Sequence, residues 1–167
     1  MKVMNVCEYV APCGRLALGE IDGRLVMCDW LLEPRHSRIV LSYRCGIRYG
    51  DSALLALAGK ELDEYFAGSR REFTLQLAPE GTAFRRSVWE ALAGVEYGAT
   101  LTYGALASRL GRPSAVRAVA SAVGANPLSL FVPCHRIVAA GGLPGGYAGG
   151  LEAKRYLLEL ESGRMSR

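Results

Sequence analysis

The 167-residue sequence lacks long hydrophobic runs and paired cysteines. It has no run of about 18 apolar residues, and its longest uncharged stretch, 118–134, is broken by Asn126, Pro127 and Pro133, which excludes a membrane span. The N-terminus shows no basic region followed by an apolar one, so no secretory signal is visible. Five cysteines without a CxxC pair argue against a disulfide framework and against a zinc finger. We therefore expect a soluble protein located in the cytoplasm.

Apolar residues make up 50% of the chain and charged residues 22%, which is enough apolar material for a packed core. The charge is unevenly distributed along the sequence. Residues 1–80 contain 10 basic and 11 acidic side chains, whereas residues 81–167 contain 10 basic and 5 acidic ones. The positive excess therefore lies in the C-terminal half, which favours a polyanionic partner there without proving one.

Residues 1–50 have the pattern of strands and turns. Apolar residues recur near every second position in residues 15–21 and again in 24–30, and an Asp-Gly pair separates the two runs. This pattern predicts a β-hairpin. Residues 39–43, Ile-Val-Leu-Ser-Tyr, predict a further strand.

A helical pattern replaces the strand pattern at about residue 51 and continues to about residue 67. Asp51 or Ser52 can cap its start and Gly68 its end. Its apolar positions fall on one face: Leu55, Ala58, Leu62, Tyr65 and Phe66. A connector with Pro79 and Gly81 follows. We therefore predict an N-terminal domain at 1–80, a small antiparallel sheet with a helix, and a second domain at 81–167.

The second domain has a mostly helical pattern. Apolar residues predict an extended segment at 128–132, which leads into Pro-Cys-His-Arg, and a glycine-rich loop spans 141–150. The predicted helices are 82–93, 103–110, a helix capped by Ser114 that runs to about residue 124, and 151–161.

Residues 101–124 have the outline of a helix-turn-helix. In its second helix, Val116, Val119 and Val123 predict a buried face. The opposite face carries one long cation among small residues: Arg117, Ala120, Ser121 and Gly124. Small residues let a helix approach a narrow groove closely. On the outline alone, tight packing of this small-residue face against another helix is the favoured interpretation, because two short helices joined by a Gly turn are common.

The Cys134-His135 pair is a candidate nucleophile beside a base, because a neighbouring imidazole favours the thiolate. A third group should orient the imidazole, and Glu161 is the candidate, since it shares a helix face with Lys154 and Leu157. On the pair alone, a buried structural cysteine beside a satisfied histidine is the favoured interpretation. We interpret the other cysteines as structural: Cys7, Cys13, Cys28 and Cys45.

Residues 133–138, Pro-Cys-His-Arg-Ile-Val, together with Asn126 and Pro127 before them, resemble the active-site signature of the O6-alkylguanine-DNA alkyltransferases, the methylated-DNA–protein-cysteine S-methyltransferases. The resemblance covers roughly residues 81–162, and the N-terminal half matches only in outline. The other matching segments are 81–84 (Gly-Thr-Ala-Phe), 88–89 (Val-Trp), 97–98 (Tyr-Gly), 102–104 (Thr-Tyr-Gly), 117–119 (Arg-Ala-Val), 145–147 (Gly-Gly-Tyr), 149–151 (Gly-Gly-Leu), Lys154 and 157–158 (Leu-Leu).

The resemblance implies an α+β fold, with a ribonuclease H-like sheet followed by a helical domain. It also implies catalytic roles. Cys134 matches the alkyl acceptor, His135 the base that deprotonates it through a water, and Glu161 the carboxylate that orients His135. Asn126 matches the hinge asparagine. Tyr103 matches the tyrosine that assists base rotation and donates a proton towards the departing guanine.

The resemblance further assigns residues to DNA and to the guanine pocket. Arg117 matches the arginine that fills the base stack after the nucleotide is flipped out. The remaining predicted DNA contacts are Tyr103, Ala118, Ala120, Ser121 and Arg136. The predicted pocket residues are Tyr147, Ala148, Ile137, Val138 and Ser129. Two departures concern this pocket: Ala148 stands where several relatives have Ser, and Ser129 where some have Pro.

The implied function is repair of double-stranded DNA that contains O6-alkylguanine, through irreversible alkyl transfer to Cys134. The implied approach is from the minor groove, by a monomer that needs no cofactor. Activity on O4-alkylthymine and cooperative binding along DNA stay open. Cys7, Cys28 and His36 suggest zinc only superficially, because their spacing does not match and a fourth ligand is missing, so we expect no metal. The alternatives are a non-catalytic lesion-binding relative, against which Cys134 argues, and a cysteine hydrolase.

Overall fold

The computed structural model describes residues 1–165, which form two compact units, one spanning Met1–Glu80 and the other beginning at Gly81. Both units combine helices with short or medium-length strands, so the predicted mixed α and β fold is confirmed. The likeness of the first unit to ribonuclease H remains a prediction. Among residues 1–165 there is no helix with the length and apolar character needed to cross a membrane.

The first unit is a four-stranded sheet with two helices. The strands are β1 (Val3–Ala11), β2 (Gly14–Ile21), β3 (Arg24–Trp30) and β4 (Gly46–Tyr49), and the helices are α1 (Arg35–Ser42) and α2 (Ala53–Phe66). The spatial order is β3-β2-β1-β4. β2 pairs antiparallel with β3, as the predicted hairpin requires, and with β1, for which no separate strand was predicted. β4 pairs parallel with β1, so the sheet is mixed and the predicted fully antiparallel sheet is wrong.

The predicted hairpin joins β2 to β3. Asp22 and Gly23 both have positive φ, 49° and 73°, which is the conformation that a two-residue hairpin turn requires. Helix α2 also follows its prediction: the Ser52 side chain accepts a hydrogen bond from the Leu55 N–H (3.1 Å) at its start. Gly68, with φ of 79°, follows its last turn.

The prediction of a strand at residues 39–43 is wrong. Ile39 and Val40 belong to α1, and they pack on the same core cluster as Tyr43, which follows the helix directly. The Tyr43 hydroxyl donates a hydrogen bond to the Val26 carbonyl. Periodicity cannot separate a strand from a helix in so short an apolar run, and contacts with the sheet decide the outcome.

Within its described residues, 81–165, the second unit contains four α-helices, two short 3₁₀ helices and a two-stranded parallel sheet. The helices are α3 (Ala83–Ala93), α4 (Tyr103–Arg109), α5 (Val116–Gly124) and α6 (Leu151–Ser162), and the strands are β5 (Leu101–Thr102) and β6 (Ile137–Val138). Helix α5 packs against α3 and α4. The Trp89 indole N–H donates to the Ala122 carbonyl (2.8 Å) and ties α3 to α5.

Three local predictions in this unit need correction. Ser114 does not cap α5, because Ala115 occupies the cap position and no side chain bonds there. Val116 is 36% exposed, so the buried face of α5 consists of Val119, Ala122 and Val123. Residues 128–132 form a tight turn rather than an extended segment: Leu130 has φ of 72°, and the Val132 N–H donates to the Leu128 carbonyl (2.8 Å).

Candidate active site

Cys134 lies at the start of a 3₁₀ turn, Cys134–Arg136, that leads directly into β6. The Asn126 side chain holds the path from α5 to this turn. Its amide N–H donates to the Val132 carbonyl (2.9 Å), and its amide oxygen accepts from the Leu128 N–H (3.0 Å). Asn126 is fully buried, so these bonds fix the backbone immediately before Cys134. This placement fits the hinge predicted for Asn126.

The Glu161 carboxylate bonds two side chains of the Cys134–Arg136 turn. Glu161 Oε1 lies 2.7 Å from His135 Nε2. The Arg136 guanidinium donates to Glu161 through Nε and Nη2, both at 2.9 Å, and to the Val95 carbonyl through Nη1 (2.6 Å). Burial acts to raise the pKa of Glu161, but the hydrogen bonds from His135 and Arg136 outweigh it and lower that pKa to about 2.

His135 is held in one orientation with one nitrogen available. The ring is fully buried, and this burial, opposed by the bond to Glu161, lowers the pKa of His135 below its ordinary 6.5. A neutral ring that donates from Nε2 to an ionised Glu161 has an unprotonated Nδ1. Nδ1 has no hydrogen-bond partner within residues 1–165. The ring is therefore in the tautomer that can accept a proton at Nδ1.

A cavity of about 260 Å³ opens at Cys134. Its lining comes from α4, α5, the Cys134–Arg136 turn and the glycine-rich loop: Tyr103, Ala120, Val123, Gly124, Cys134, Gly146, Tyr147 and Ala148. Burial, with a smaller contribution from the charge of Cys134, raises the pKa of Tyr103, so its hydroxyl stays protonated at neutral pH. The cavity thus places a protonated phenol and a thiol around the same space.

Lys154 joins two walls of this site. It is fully buried on α6, and its ammonium donates to the Ile137 carbonyl (2.6 Å) and to the Gly146 carbonyl (3.2 Å). The pKa of Lys154 lies below its ordinary value, because the effect of burial exceeds the opposite effect of the charge of Cys134. In the sequence, Lys154 stands out as a lysine on the apolar face of an amphipathic helix, the face that carries Leu157. This pattern does not show which groups the lysine bonds.

The structure brings only part of the predicted pocket together. Tyr147 and Ala148 line the cavity, whereas Ile137, Val138 and Ser129 are buried and are not among its lining residues. Ile137 instead contributes its carbonyl to Lys154. Val123, Gly124 and Gly146 also line the cavity. The sequence does not assign them to the pocket, because no pattern shows which residues of a helix or loop face a cavity.

The predicted DNA contacts include both exposed and buried residues. Arg117, Ala118 and Ser121 are exposed on α5, and Ala120 is half-buried beside the cavity. Arg136 is only 7% exposed, with its guanidinium bonded to Glu161 and Val95. This geometry contradicts the prediction that Arg136 binds DNA, because a cation held inside by a carboxylate cannot also reach a phosphate.

Among residues 1–165, no group of three or more His, Cys, Asp or Glu side chains is placed to hold a metal ion. Of the residues that suggested zinc, His36 has its Nδ1 3.0 Å from an Asp29 carboxylate oxygen. Cys28 is buried in β3, Cys7 lies in β1, and neither takes part in a disulfide.

Comparisons with known proteins agree with a DNA-binding unit that carries a reactive cysteine. Residues 83–163 match the family model for the 6-O-methylguanine DNA methyltransferase, DNA binding domain. The chain is 46% identical over 157 residues to the methylated-DNA–protein-cysteine methyltransferase of Mycobacterium bovis, covering 92% of this chain and 90% of the relative. It is 50% identical over 104 residues to that of Methanosarcina acetivorans, covering 62% and 67%.

Solved structures agree with these sequence matches. The crystal structure of Mycobacterium tuberculosis OGT in complex with DNA matches with a TM-score of 0.84 and 36% identity, covering 97% of this chain and 94% of that one. The O6-methylguanine methyltransferase of the same organism matches with a TM-score of 0.81 over 99% of this chain and 96% of that one. The chain belongs to the family of methylated-DNA–protein-cysteine methyltransferases.

Proposed function

We propose that this protein repairs O6-alkylguanine in DNA by moving the alkyl group irreversibly to its own Cys134. Its family membership makes it a DNA-repair methyltransferase that acts by direct reversal and has DNA as its partner. The observation that carries the assignment to Cys134 is its place at the cavity, next to a His135 that Glu161 orients.

The acceptor step needs a thiolate at Cys134. The neutral His135 ring, oriented by Glu161, takes the thiol proton through a bridging water at Nδ1. This role is supported by its tautomer and by the lack of a partner for Nδ1 among residues 1–165. Glu161 remains ionised throughout, because its pKa is about 2. His135 is therefore the proton acceptor, and Glu161 is the residue that orients it.

The transfer step is a displacement at the alkyl carbon. A bond forms between that carbon and the Cys134 sulfur, the bond between the carbon and guanine O6 breaks, and the guanine leaves with the electron pair. Tyr103 is the proton donor towards the departing base, since it lines the same cavity with its hydroxyl protonated. The product is a thioether, which water does not cleave, so one protein repairs one lesion.

The target base must leave the duplex to reach Cys134, because the sulfur cannot attack in line inside the base stack. Helix α5 approaches from the minor groove with its small exposed residues, Ala118 and Ser121, and Arg117 fills the gap that the flipped nucleotide leaves. Tyr147 and Ala148 form the wall of the pocket that receives the base.

Several finer features of this proposal come from the sequence alone. They are a monomeric protein, a cytoplasmic location and the absence of a cofactor. O4-alkylthymine as a second substrate and cooperative binding along DNA stay open. A cysteine hydrolase is the second reading of Cys134, His135 and Glu161, and it predicts multiple turnovers where the proposed function predicts one.

The experiment compares Cys134→Ala with the unchanged protein on a duplex that carries one O6-methylguanine with a labelled methyl group. We expect the variant to bind the duplex and to transfer no label. Cys7→Ala is the matched control, since it removes a free thiol from β1, and it should transfer the label normally. Label on the Cys134→Ala protein would contradict the proposed acceptor.

A further inference from the structure

The helix-turn-helix segment of this protein carries cations without acidic neighbours in sequence. Between Glu96 and Glu152 there is no Asp or Glu at all. Arg109, Arg112 and Arg117 lie in this interval, and all three are exposed. In the part of the chain that the structure describes, none of the three forms an ion pair. Their charge is therefore available to a partner, and a phosphate backbone is the polyanion that fits.

Arg112 differs from the other two arginines because its side chain has a support. Its guanidinium carbon lies 5.4 Å from the centroid of the Phe84 ring, which is half-buried at the start of α3. A cation over an aromatic face is held by the negative face of the ring. The contact restricts a side chain that otherwise has many rotamers, so less entropy is lost when it binds.

The backbone that carries Arg112 is also fixed. The Arg112 N–H donates to the Ala107 carbonyl in α4, and the Arg112 carbonyl accepts from the Ala115 N–H, both at 2.9 Å. Gly111 before it takes a φ of 69°, and Pro113 after it restricts the turn further. Both the main chain and the side chain of Arg112 are thus held in place before any partner binds.

We propose that Arg112 is a phosphate contact through which the turn between α4 and α5 binds the DNA backbone, with Phe84 as its positioning residue. The proposal rests on the proposed function in taking DNA as the partner. Arg112 does not line the cavity at Cys134. It therefore contributes to affinity for damaged and undamaged duplex alike, and not to the alkyl-transfer step.

The test measures binding of the full chain to an unmodified duplex and to the same duplex with one O6-methylguanine, at several salt concentrations. The slope of log Kobs against log salt is negative, and a lost phosphate contact reduces its magnitude by about 0.9. We expect this decrease for Arg112→Gln on both duplexes, with several-fold weaker binding at low salt. At saturating DNA, the rate constant for methyl transfer should stay unchanged.

Two further variants separate position from charge. Arg155→Gln removes the same charge from an exposed position on α6, between Glu152 and Glu159, and should leave the slope unchanged. Phe84→Leu keeps all charges and removes the aromatic face. It should keep the full salt dependence while weakening binding several-fold. In the double variant with Arg112→Gln, the loss of affinity should be smaller than the sum of the two single losses, because Phe84 acts through Arg112.

The outcomes distinguish this proposal from the function on which it rests. An unchanged slope for Arg112→Gln, in a protein that still transfers methyl groups, overturns the phosphate contact and leaves the function intact. If Arg112→Gln loses affinity for the methylated duplex alone, or transfers methyl groups more slowly at saturating DNA, the phosphate contact is also overturned. Arg112 would then act at the lesion. Failure of the unchanged protein to transfer methyl groups overturns the proposed function itself.

Discussion

At the scale of single residues, Glu161 is the centre of the site's buried charge. It is the carboxylate that both His135 and Arg136 bond, and all three side chains are buried. Removing one member of a buried ion pair leaves the other charge uncompensated. The arrangement therefore links the stability of the second unit to the orientation of the catalytic base.

Glu161→Gln should lower the free energy of unfolding by about 3–5 kcal/mol, because Arg136 stays buried without a negative partner. Urea denaturation at pH 7.5 measures the change. Glu159→Gln is the matched control, an exposed position two residues earlier on α6, and should change stability by less than about 0.5 kcal/mol. Equal effects of the two substitutions would show that the buried pair does not stabilise the fold.

The pH dependence of stability should report on His135. Burial lowers the pKa of His135 in the folded protein, whereas the unfolded residue titrates near 6.5. Below that pH, His135 is protonated in the unfolded chain but stays neutral in the folded chain. The free energy of unfolding therefore falls by about 1.4 kcal/mol for each pH unit. The contribution of Glu161 is lost only at lower pH, between 4.5 and about 2. Urea denaturation at pH 7.5 and pH 5.5 measures the His135 contribution.

The comparison that isolates this contribution uses the two histidines. His135→Gln should show a weaker loss of stability between pH 7.5 and pH 5.5 than the unchanged protein. His36→Gln, in the first unit, should retain the loss that His135 causes. If His135→Gln and the unchanged protein lose the same stability over this interval, His135 is not held neutral in the folded state.

At the scale of elements, local chemistry predicted most helices and the hairpin. Ser52 and Thr82 accept capping bonds where the periodicity begins, and the Asp-Gly pair forms the turn. The failures were elements whose form depends on distant contacts. Residues 39–42 belong to helix α1, whose Ile39 and Val40 pack on the core cluster of the first unit. Residues 128–132 turn because the Asn126 amide holds both ends of that segment.

Helix α5 supports a prediction about base flipping. Its exposed face carries Arg117 among small residues, and the proposed role of Arg117 is to fill the stack after a nucleotide leaves. Arg117→Ala should therefore slow methyl transfer from a duplex more than from a single strand, where there is no paired stack to fill. Single-turnover transfer rates on the two substrates measure the difference.

The matched control for this prediction is Arg109→Ala, which removes an exposed cation from the neighbouring helix α4. It should reduce transfer from duplex and single strand by similar factors, since it weakens only the attraction to phosphates. If Arg117→Ala lowers the transfer rate by the same factor on the duplex and on the single strand, Arg117 has no role in base flipping.

At the scale of the whole molecule, the sequence predicted the chemistry of the site better than its shape. Cys134 and His135 are adjacent in the chain, and Glu161 was recognisable from its helix face. The lining by Val123, Gly124 and Gly146, and the bonds of Lys154 to two carbonyls, depend on how α5, α6 and the glycine-rich loop pack. Arg136 was assigned to DNA because the sequence does not show that Glu161 and Val95 already bind it.

The whole-molecule claim is that the protein is consumed in the reaction, one molecule for each lesion. Intact-protein mass after incubation with an excess of O6-methylguanine duplex tests it most directly, followed by peptide mapping. We expect a gain of one methyl group per protein, located on the peptide that contains Cys134, and no further gain with time. Tight binding without any gain in mass, or methyl groups released in excess of the protein, would contradict it.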